Sequence, residues 1–199
     1  MRVIVLGIGG TGLLMAESVK RSGYEFIGFL DDTHRKPVLG PLASWGEYEG
    51  TYFLSSLYGA KKTPRYCGII KDLGIPRNRF VSVIDPSAVM MTADIGAGVY
   101  VGPGVVVEPE VVLGDLCSLL GSVYVAHHCR LGEYVCCANN VSIAGGVKIG
   151  SASYIGANAS IREYLEVGER AIIGMGSVVV KNVPPGAMVA GNPARSIKP

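Results

Sequence analysis

Two of the three histidines of the chain are adjacent, His127 and His128, in the segment VYVAHHCRLGEYVCC (Val123–Cys137). Imidazole exchanges a proton near neutral pH and can bind a metal, so the pair is a candidate for acid–base chemistry or for a metal site. Neighbouring residues of an extended chain point in different directions. We therefore expect the two rings not to share one metal ion or one proton.

A second candidate site is the glycine-rich turn near the N-terminus, in VIVLGIGGTG. The turn follows a buried strand and precedes a helix, and Asp31 and Asp32 follow about twenty residues later, as in the dinucleotide fingerprint. The backbone N–H groups of Gly9, Gly10, Thr11 and Gly12 would cradle a phosphate at the helix N-terminus. From these residues alone, NAD, a nucleotide-sugar and a tight turn without a ligand all remain possible.

Cysteine usage and charge exclude several classes of function. The five cysteines, Cys67, Cys117, Cys129, Cys136 and Cys137, contain no C-x-x-C spacing, and their odd number favours free thiols in a reducing cytoplasm. We expect no metal. The net charge of +2 is too small for nucleic-acid binding or for an anionic membrane surface. No apolar segment approaches the eighteen or so residues that a membrane span needs.

The first part of the chain, residues 1–84, reads as α/β. Strands are predicted at Arg2–Ile8, at YEFIGFLDD and at Thr51–Leu57, and helices at TGLLMAESVKRSG and at Thr63–Ile75, with Gly23 as the stop of the first helix. Alternation of strand and helix predicts a small parallel sheet.

The second part, residues 85–199, has an aliphatic residue or a cysteine at every sixth position, followed in most cases by a small residue. A period of six is typical of a parallel β-helix, in which each hexapeptide forms one face and one corner of a triangular coil. Sixteen hexapeptides predict about five coils, and the cysteines at inward positions, such as Cys137, are read as small hydrophobes. The sixteen inward positions are Val89, Ile95, Val101, Val107, Leu113, Leu119, Val125, Leu131, Cys137, Ile143, Ile149, Ile155, Ile161, Val167, Ile173 and Val179.

These hexapeptides resemble those of the hexapeptide-repeat acyltransferases. The C-terminal segment, which we set apart as a tail from about residue 184, is similar to their shared ending V-x-G-x-P-A-[KR], here Val189, Gly191, Pro193, Ala194 and Arg195. The opening VIVLGIGGTGLLMAESVKRSGYEFIGFLDD resembles that of the NeuD/PglD family of sugar O- and N-acyltransferases. This resemblance implies a small Rossmann-like nucleotide-sugar domain followed by a left-handed β-helix that forms a homotrimer.

The resemblance also implies roles for individual residues. Matching AHHCRLG to the family motif [DE]-H-[DE]-C-x-[IL]-G places His127 at the general base, with His128 beside it as a second catalytic candidate. Asp31 and Asp32 would accept hydrogen bonds from the nucleotide. Acetyl-CoA would lie in a groove between neighbouring subunits. The residues implied there are Cys136, which replaces a second family histidine, Gly145 as an N–H donor, Gly174, Gly176 and Arg195.

The sequence departs from the family at the base, because Ala126 and His128 replace both flanking carboxylates. The group that orients His127 is therefore open; Glu108, Glu110, Asp115, a neighbouring subunit or, weakly, His128 are the candidates. The leading hypothesis is an acetyl-CoA-dependent N-acyltransferase acting on a nucleotide-linked amino sugar. The alternatives are an O-acetyltransferase of a free sugar or sialic acid, and a non-catalytic trimeric binding module. A γ-type carbonic anhydrase needs three histidines around its zinc ion. Besides the adjacent pair the sequence contains only His34, so we do not expect this activity.

Overall fold

A computed structural model describes residues 1–33, 37–60 and 62–197, so His34 lies outside the described residues. The N-terminal part contains a parallel three-stranded sheet with strand order β2-β1-β3, which confirms the predicted small parallel sheet. Two short 3-10 helices, at Leu42–Glu47 and Arg77–Arg79, lie in the connections. The main elements are β1 (Arg2–Leu6), α1 (Gly10–Arg21), β2 (Glu25–Leu30), β3 (Thr51–Ser55) and α2 (Thr63–Asp72).

The helix ends follow from residue type. Gly23 has a φ of 77° directly after the C-cap of α1, a left-handed conformation that glycine adopts at little cost, and it stops the helix as predicted. Gly12 lets α1 approach β1 closely, because a Cβ there would lie 2.1 Å from the carbonyl oxygen of Gly7. The tight turn between β1 and α1 thus depends on Gly12.

The rest of the chain is a parallel β-solenoid of about six turns, against the predicted five or so. Its faces are an eight-, a six- and a four-stranded sheet, and partners in adjacent coils are 18 residues apart, as in Val125 and Ile143. The two-residue strands are β4 (Val83–Ile84), β5 (Val89–Met90), β6 (Tyr100–Val101), β7 (Val106–Val107), β8 (Val112–Leu113), β9 (Ser118–Leu119), β10 (Tyr124–Val125), β11 (Arg130–Leu131), β12 (Cys136–Cys137), β13 (Ser142–Ile143), β14 (Lys148–Ile149), β15 (Tyr154–Ile155), β16 (Ser160–Ile161), β17 (Glu166–Val167), β18 (Ile172–Ile173) and β19 (Val178–Val179).

The chain closes the last coil with two further strands. The strand β20 (Met188–Ala190) pairs in parallel with β18, and β21 (Arg195–Ser196) then pairs antiparallel with β20. The tail therefore turns back along the edge of the eight-stranded sheet.

The predicted inward positions are buried from Val101 to Val179, which confirms the six-residue period along the column. The first position is wrong by one residue. Met90 pairs with Val107 and packs on the core, whereas Val89 is 46% exposed. The coil that begins at Met90 is 17 residues long rather than 18. It is the first coil of the column, so no preceding coil fixes which residue points inward.

The corners lie two and three residues after each inward position, and the second corner residue takes a left-handed conformation. Positive φ values occur there in residues as different as Glu110, Leu116, Tyr134 and Asn140. The small residue directly after most strands has a different reason. A Cβ on Gly114 would lie 2.7 Å from the backbone nitrogen of Glu133, so this position must be glycine for the two coils to stack as they do, whereas Glu108 and Leu120 occupy the same position in other coils.

A buried hydrogen-bonded cluster joins the two parts of the chain. Asp85 is completely buried and accepts hydrogen bonds from the Ser18 hydroxyl (3.0 Å) and the Ser87 hydroxyl (2.7 Å), and Arg21 lies 3.1 Å away. Burial alone would raise the pKa of Asp85, but the hydrogen bonds from Ser87 and Ser18 and the charge of Arg21 outweigh it and lower the pKa. Tyr100, whose hydroxyl lies 3.0 Å from Ser18, completes this junction cluster.

Within residues 1–33, 37–60 and 62–197, no helix has the length and apolar character needed to cross a membrane. No group of three or more histidine, cysteine, aspartate or glutamate side chains there is arranged to hold a metal ion.

Candidate active site

The backbone of His127 and His128 forms the corner that follows strand β10. The stacked coils fix it from both sides, since the N–H of His128 donates to the Pro109 carbonyl (3.2 Å) and the N–H of Gly146 donates to the His127 carbonyl (2.9 Å). His128 has a φ of 61°, the left-handed value of the other corners. Both imidazoles are exposed in the single chain, so they are open to a substrate.

Glu108, from the preceding coil, holds the main chain of His127 rather than its ring. One carboxylate oxygen accepts the N–H of His127 (2.8 Å), and the other accepts a short hydrogen bond from the Tyr124 hydroxyl. These two hydrogen bonds, that from Tyr124 first, lower the pKa of Glu108, while the bond to the carboxylate raises the pKa of Tyr124. A fixed negative charge therefore lies beside His127 at neutral pH.

The two histidine rings are in direct contact. Their Nδ1 atoms are 3.0 Å apart, the ring centroids are 5.1 Å apart, and the ring planes are nearly perpendicular at 86°. The expectation that the rings would not share a proton is therefore wrong. The left-handed φ of His128 reverses the direction of the chain at the corner, and this brings its side chain back beside the preceding one.

Gly145 lies directly under the imidazole of His127. A Cβ at this position would lie 2.6 Å from Cε1 and 2.9 Å from Nε2 of the ring. Gly146 is similarly covered by the ring of Tyr164, which would be 2.6 Å from a Cβ there. The two glycines thus form the floor of the site, and only glycine leaves room for both rings.

Of the candidates to orient His127, the structure brings His128 into contact with the ring and Glu108 into contact with the main chain. Asp115 instead forms an ion pair with Arg77 at 2.5 Å. Tyr124 is a contact of Glu108 that sequence motifs did not indicate. The 18-residue repeat pairs Tyr124 with Val106, and Val106 precedes Glu108 by two residues. The 18-residue repeat thus places Tyr124 one coil away from Glu108 and two positions along the strand direction.

The glycine-rich turn borders a cleft of about 310 Å³ in the N-terminal part. Asp31 lines this cleft, and its carboxylate accepts the backbone N–H groups of Ile8 (2.8 Å) and Thr33 (2.6 Å), so it supports the walls of the cleft. Asp32 points elsewhere and accepts the N–H of Leu42 (2.9 Å) at the start of a 3-10 helix. The lining residues are Gly7, Ile8, Gly9, Gly10, Thr11, Asp31, Thr33, Ser56, Leu57, Tyr58, Lys62 and Tyr66.

Gly12 is not among the lining residues, because it packs against Gly7. The hydroxyl of Tyr58 is buried at the inner side of the cleft, and burial raises the pKa of Tyr58 strongly. The cleft thus combines open glycine backbone, one supported carboxylate and a tyrosine, which are groups suited to a phosphate and a polar ring system.

The other predicted acetyl-CoA residues lie away from His127 within one chain. Gly174 and Gly176 belong to the corner after β18, on a different sheet from β10, and a Cβ on Gly174 would meet that of Ala190 at 2.8 Å. Arg195 is exposed on β21, and its guanidinium donates to the Ala194 carbonyl. Cys136 is completely buried beneath the N-terminal part, which raises the pKa of its thiol, so its side chain is closed to a ligand.

No family model and no curated protein sequence matches the chain. Among solved structures, the acetyltransferase domain of PglB from Neisseria gonorrhoeae FA1090 in complex with acetyl coenzyme A is 30% identical, with a TM-score of 0.86 and 98% of both chains covered. A variant of perosamine N-acetyltransferase from Caulobacter crescentus in complex with CoA and GDP-perosamine is 25% identical, with a TM-score of 0.88 over 100% of this chain and 98% of that chain. PerB from the same organism, also in complex with CoA and GDP-perosamine, is 26% identical, with a TM-score of 0.86 and the same coverage.

Proposed function

Because the chain belongs to the NeuD/PglD family of hexapeptide-repeat sugar O- and N-acyltransferases, we propose that it transfers an acetyl group from acetyl-CoA to the amine of a nucleotide-linked amino sugar. The observation that carries this proposal is the exposed imidazole of His127, which is hydrogen-bonded at Nδ1 and lies over Gly145. An imidazole held in this way can present Nε2 to an acceptor. The complexes of the similar structures with acetyl-CoA, CoA and GDP-perosamine support the choice of donor and acceptor class.

The two parts of the chain would divide the work. Residues 1–84 would act as a Rossmann-like domain that binds the nucleotide of the acceptor, with the N–H groups around Gly9 and Gly10 at the phosphates. Residues 85–199 would form a left-handed β-helix that carries the acetyl-transfer site. The cleft of about 310 Å³ beside the glycine-rich turn supports the first assignment, since glycines, hydroxyl-bearing residues and Lys62 are among the residues that line it.

The reaction requires a base and an acceptor for negative charge. Nε2 of His127 would take a proton from the amine while the nitrogen attacks the thioester carbonyl carbon. The tetrahedral intermediate then collapses, the C–S bond breaks, and the CoA thiolate takes the proton back from the imidazolium. The nearby carboxylate of Glu108 would stabilise the imidazolium that forms between these steps.

The oxyanion would be stabilised by the N–H of Gly145. Among the described residues, none accepts a hydrogen bond from this N–H, and the glycine lies next to Nε2 of His127. A donor beside the base stabilises the charge that develops on the carbonyl oxygen.

A homotrimer would complete the site. Gly174, Gly176 and Arg195 follow or lie on strands of a different sheet from β10, which precedes His127, so a neighbouring subunit would supply them to the same acetyl-CoA groove. We propose this arrangement for the groove. The tail after residue 184, which holds Arg195, would then reach the cofactor across the subunit boundary.

The test is an assay of free-thiol release from acetyl-CoA with a panel of UDP- and GDP-linked amino sugars. We expect turnover with at least one of them and none with the corresponding hydroxy sugars. His127→Ala should lower kcat by about 10²- to 10⁴-fold because the base is lost. The matched control is Glu169→Ala. Glu169 follows the inward Val167 by two residues, as His127 follows Val125, but it lies at an exposed corner on another edge of the column, so kcat should stay unchanged.

Three results would contradict the proposal. Full activity of His127→Ala would show that another group is the base. Turnover confined to hydroxyl acceptors would make the protein an O-acetyltransferase. A nucleotide-sugar that raises the melting temperature without any thiol release would identify a binding module instead of an enzyme.

A further inference from the structure

We propose that His128 is a positioning residue: its Nδ1 accepts a hydrogen bond from the Nδ1–H of His127 and thereby holds His127 in the tautomer that can act as a base. This inference rests on the proposed function for its catalytic consequence. The hydrogen bond itself rests on the 3.0 Å contact between the two Nδ1 atoms, at the corner where the flanking residues Ala126 and His128 offer no carboxylate.

The contact distance limits the protonation of the pair. A neutral imidazole carries one N–H, on Nδ1 or on Nε2, and a hydrogen bond at 3.0 Å needs one proton between the two Nδ1 atoms. Either His127 donates and His128 accepts, or the reverse. In both cases the two rings are opposite tautomers, so the tautomer of one ring determines that of the other.

Only one of the two arrangements leaves His127 able to accept a proton. If His127 donates from Nδ1, its Nε2 is unprotonated and can remove the proton of the acceptor amine. If His128 donates, Nε2 of His127 carries the hydrogen and cannot act as a base. The proposed reaction therefore requires His128 to be the acceptor, with its own hydrogen on Nε2.

The same hydrogen bond persists through the reaction. When His127 becomes an imidazolium, it keeps its Nδ1–H, and the bond to the neutral His128 becomes charge-assisted and stronger. The ionised Glu108 lies beside His127 through the main-chain N–H, and Tyr124 donates to that carboxylate. The positive charge is thus placed on His127, nearest the carboxylate, rather than on His128.

The corner geometry aims His128 at its neighbour and is independent of residue type. The equivalent corners hold residues as different as Glu110, Tyr164 and Arg170, all with φ between 55° and 62°. Substitution of His128 should therefore leave the backbone in place. Glycine fits this conformation with the least strain, so His128→Gly removes the acceptor without a folding penalty.

The experiment measures the tautomer directly and then its effect on turnover. In the full-length protein labelled with ¹⁵N-histidine, we expect His127 to show a protonated Nδ1 and an unprotonated Nε2, and His128 the opposite. The chain has only three histidines, so single substitutions of each assign the spectrum. In His128→Gly, we expect the His127 signal to change to the Nε2–H form that an isolated imidazole prefers.

Turnover separates a positioning role from a purely structural one. His128→Gly should lower kcat about tenfold, less than the loss of the base, with the KM for acetyl-CoA unchanged. His128→Asp, which restores an acceptor, should recover kcat to within a fewfold of the native value. Arg170→Gly is the matched control, because it makes the same change at an exposed corner with a φ of 55° that lies away from the site.

The proposal is overturned if the native protein shows His127 protonated at Nε2, or if His128→Gly leaves both the tautomer and kcat unchanged. Absence of acetyl transfer with every acceptor would overturn the proposed function instead. The ¹⁵N spectrum would still decide which histidine donates, so the two failures are distinguishable.

Discussion

Two clusters of this molecule are built around a carboxylate and differ in their exposure to water. At the junction of the two parts, Asp85 is completely buried and receives hydrogen bonds from two serines, with Arg21 beside it. At the candidate active site, Glu108 is solvent-accessible and receives hydrogen bonds from Tyr124 and the backbone of His127. In both, hydrogen bonds hold the pKa of the carboxyl below its usual value.

The difference in burial gives the two carboxylates different roles. A buried charge that loses its partners is costly, so the Asp85 cluster contributes to stability and to the attachment of the N-terminal sheet. An exposed charge is screened by water, so Glu108 contributes little to stability and can act on the chemistry of a neighbouring ring. We therefore expect substitutions at the junction to change unfolding, and substitutions at the corner to change turnover.

The largest effect should come from Asp85→Ala. It removes two hydrogen bonds to a buried carboxylate, from the buried Ser18 hydroxyl and the exposed Ser87 hydroxyl, and it removes the charge beside Arg21. We expect a loss of about 3 kcal/mol in the free energy of unfolding. Urea unfolding at a fixed protein concentration measures it. A variant as stable as the native protein would show that water enters the junction and that the comparison fails.

Gly145→Ala should act on turnover. Its Cβ would lie 2.6 Å from the His127 ring, which can rotate away, so we expect kcat to fall about ten- to hundredfold through misplacement of the base. Stability should stay near native. Gly114→Ala is the control. A Cβ on Gly114 meets the backbone at Glu133, which cannot rotate away, so this variant should lower stability instead. Equal effects of both on unfolding would contradict the distinction.

Protonation of Asp85 at low pH should lower the free energy of unfolding by less than Asp85→Ala does, because protonation removes only the charge and leaves the side chain in place. The folded pKa of Asp85 is lowered, so its contribution is fully present above the unfolded value of about 4 and is lost as the pH falls through the folded value. Comparison of native protein with Asp85→Asn by thermal unfolding isolates this part. Their difference in melting temperature should shrink below about pH 4; a constant difference would exclude titration of Asp85.

The smallest effect should come from Tyr124→Phe. It removes one exposed hydrogen bond to Glu108, which water can replace, so we expect kcat to change by about threefold at most and the free energy of unfolding to stay near the native value. Steady-state kinetics and urea unfolding measure both. A loss as large as that of His127→Ala would mean that Tyr124 itself takes part in proton transfer.

The sequence predicts the solenoid well because its signal is repeated in every coil. The register holds from Val101 to Val179 and fails at Val89, where the end coil is one residue shorter and no neighbour corrects the phase. The strands and helices of the N-terminal part were also predictable, since each is a local pattern of apolar residues and glycines.

The contacts of the candidate site were less predictable. The His127–His128 contact depends on the φ of one corner residue, and the hydrogen bond from the Leu42 N–H to Asp32 depends on a segment ten residues later. The junction cluster joins Ser18 to Asp85 and Tyr100, residues 67 and 82 positions apart. A single sequence has no local pattern that reports such distant pairs.

The antiparallel strand β21 covers one edge of the solenoid. A parallel solenoid ends in a row of unpaired N–H and C=O groups, onto which another chain could add its own coil. By lying antiparallel on β20, Arg195–Ser196 occupies that row on the widest face. Because β21 runs antiparallel to the coils, its outer edge does not match the parallel hydrogen-bond pattern that a further coil would need on this face.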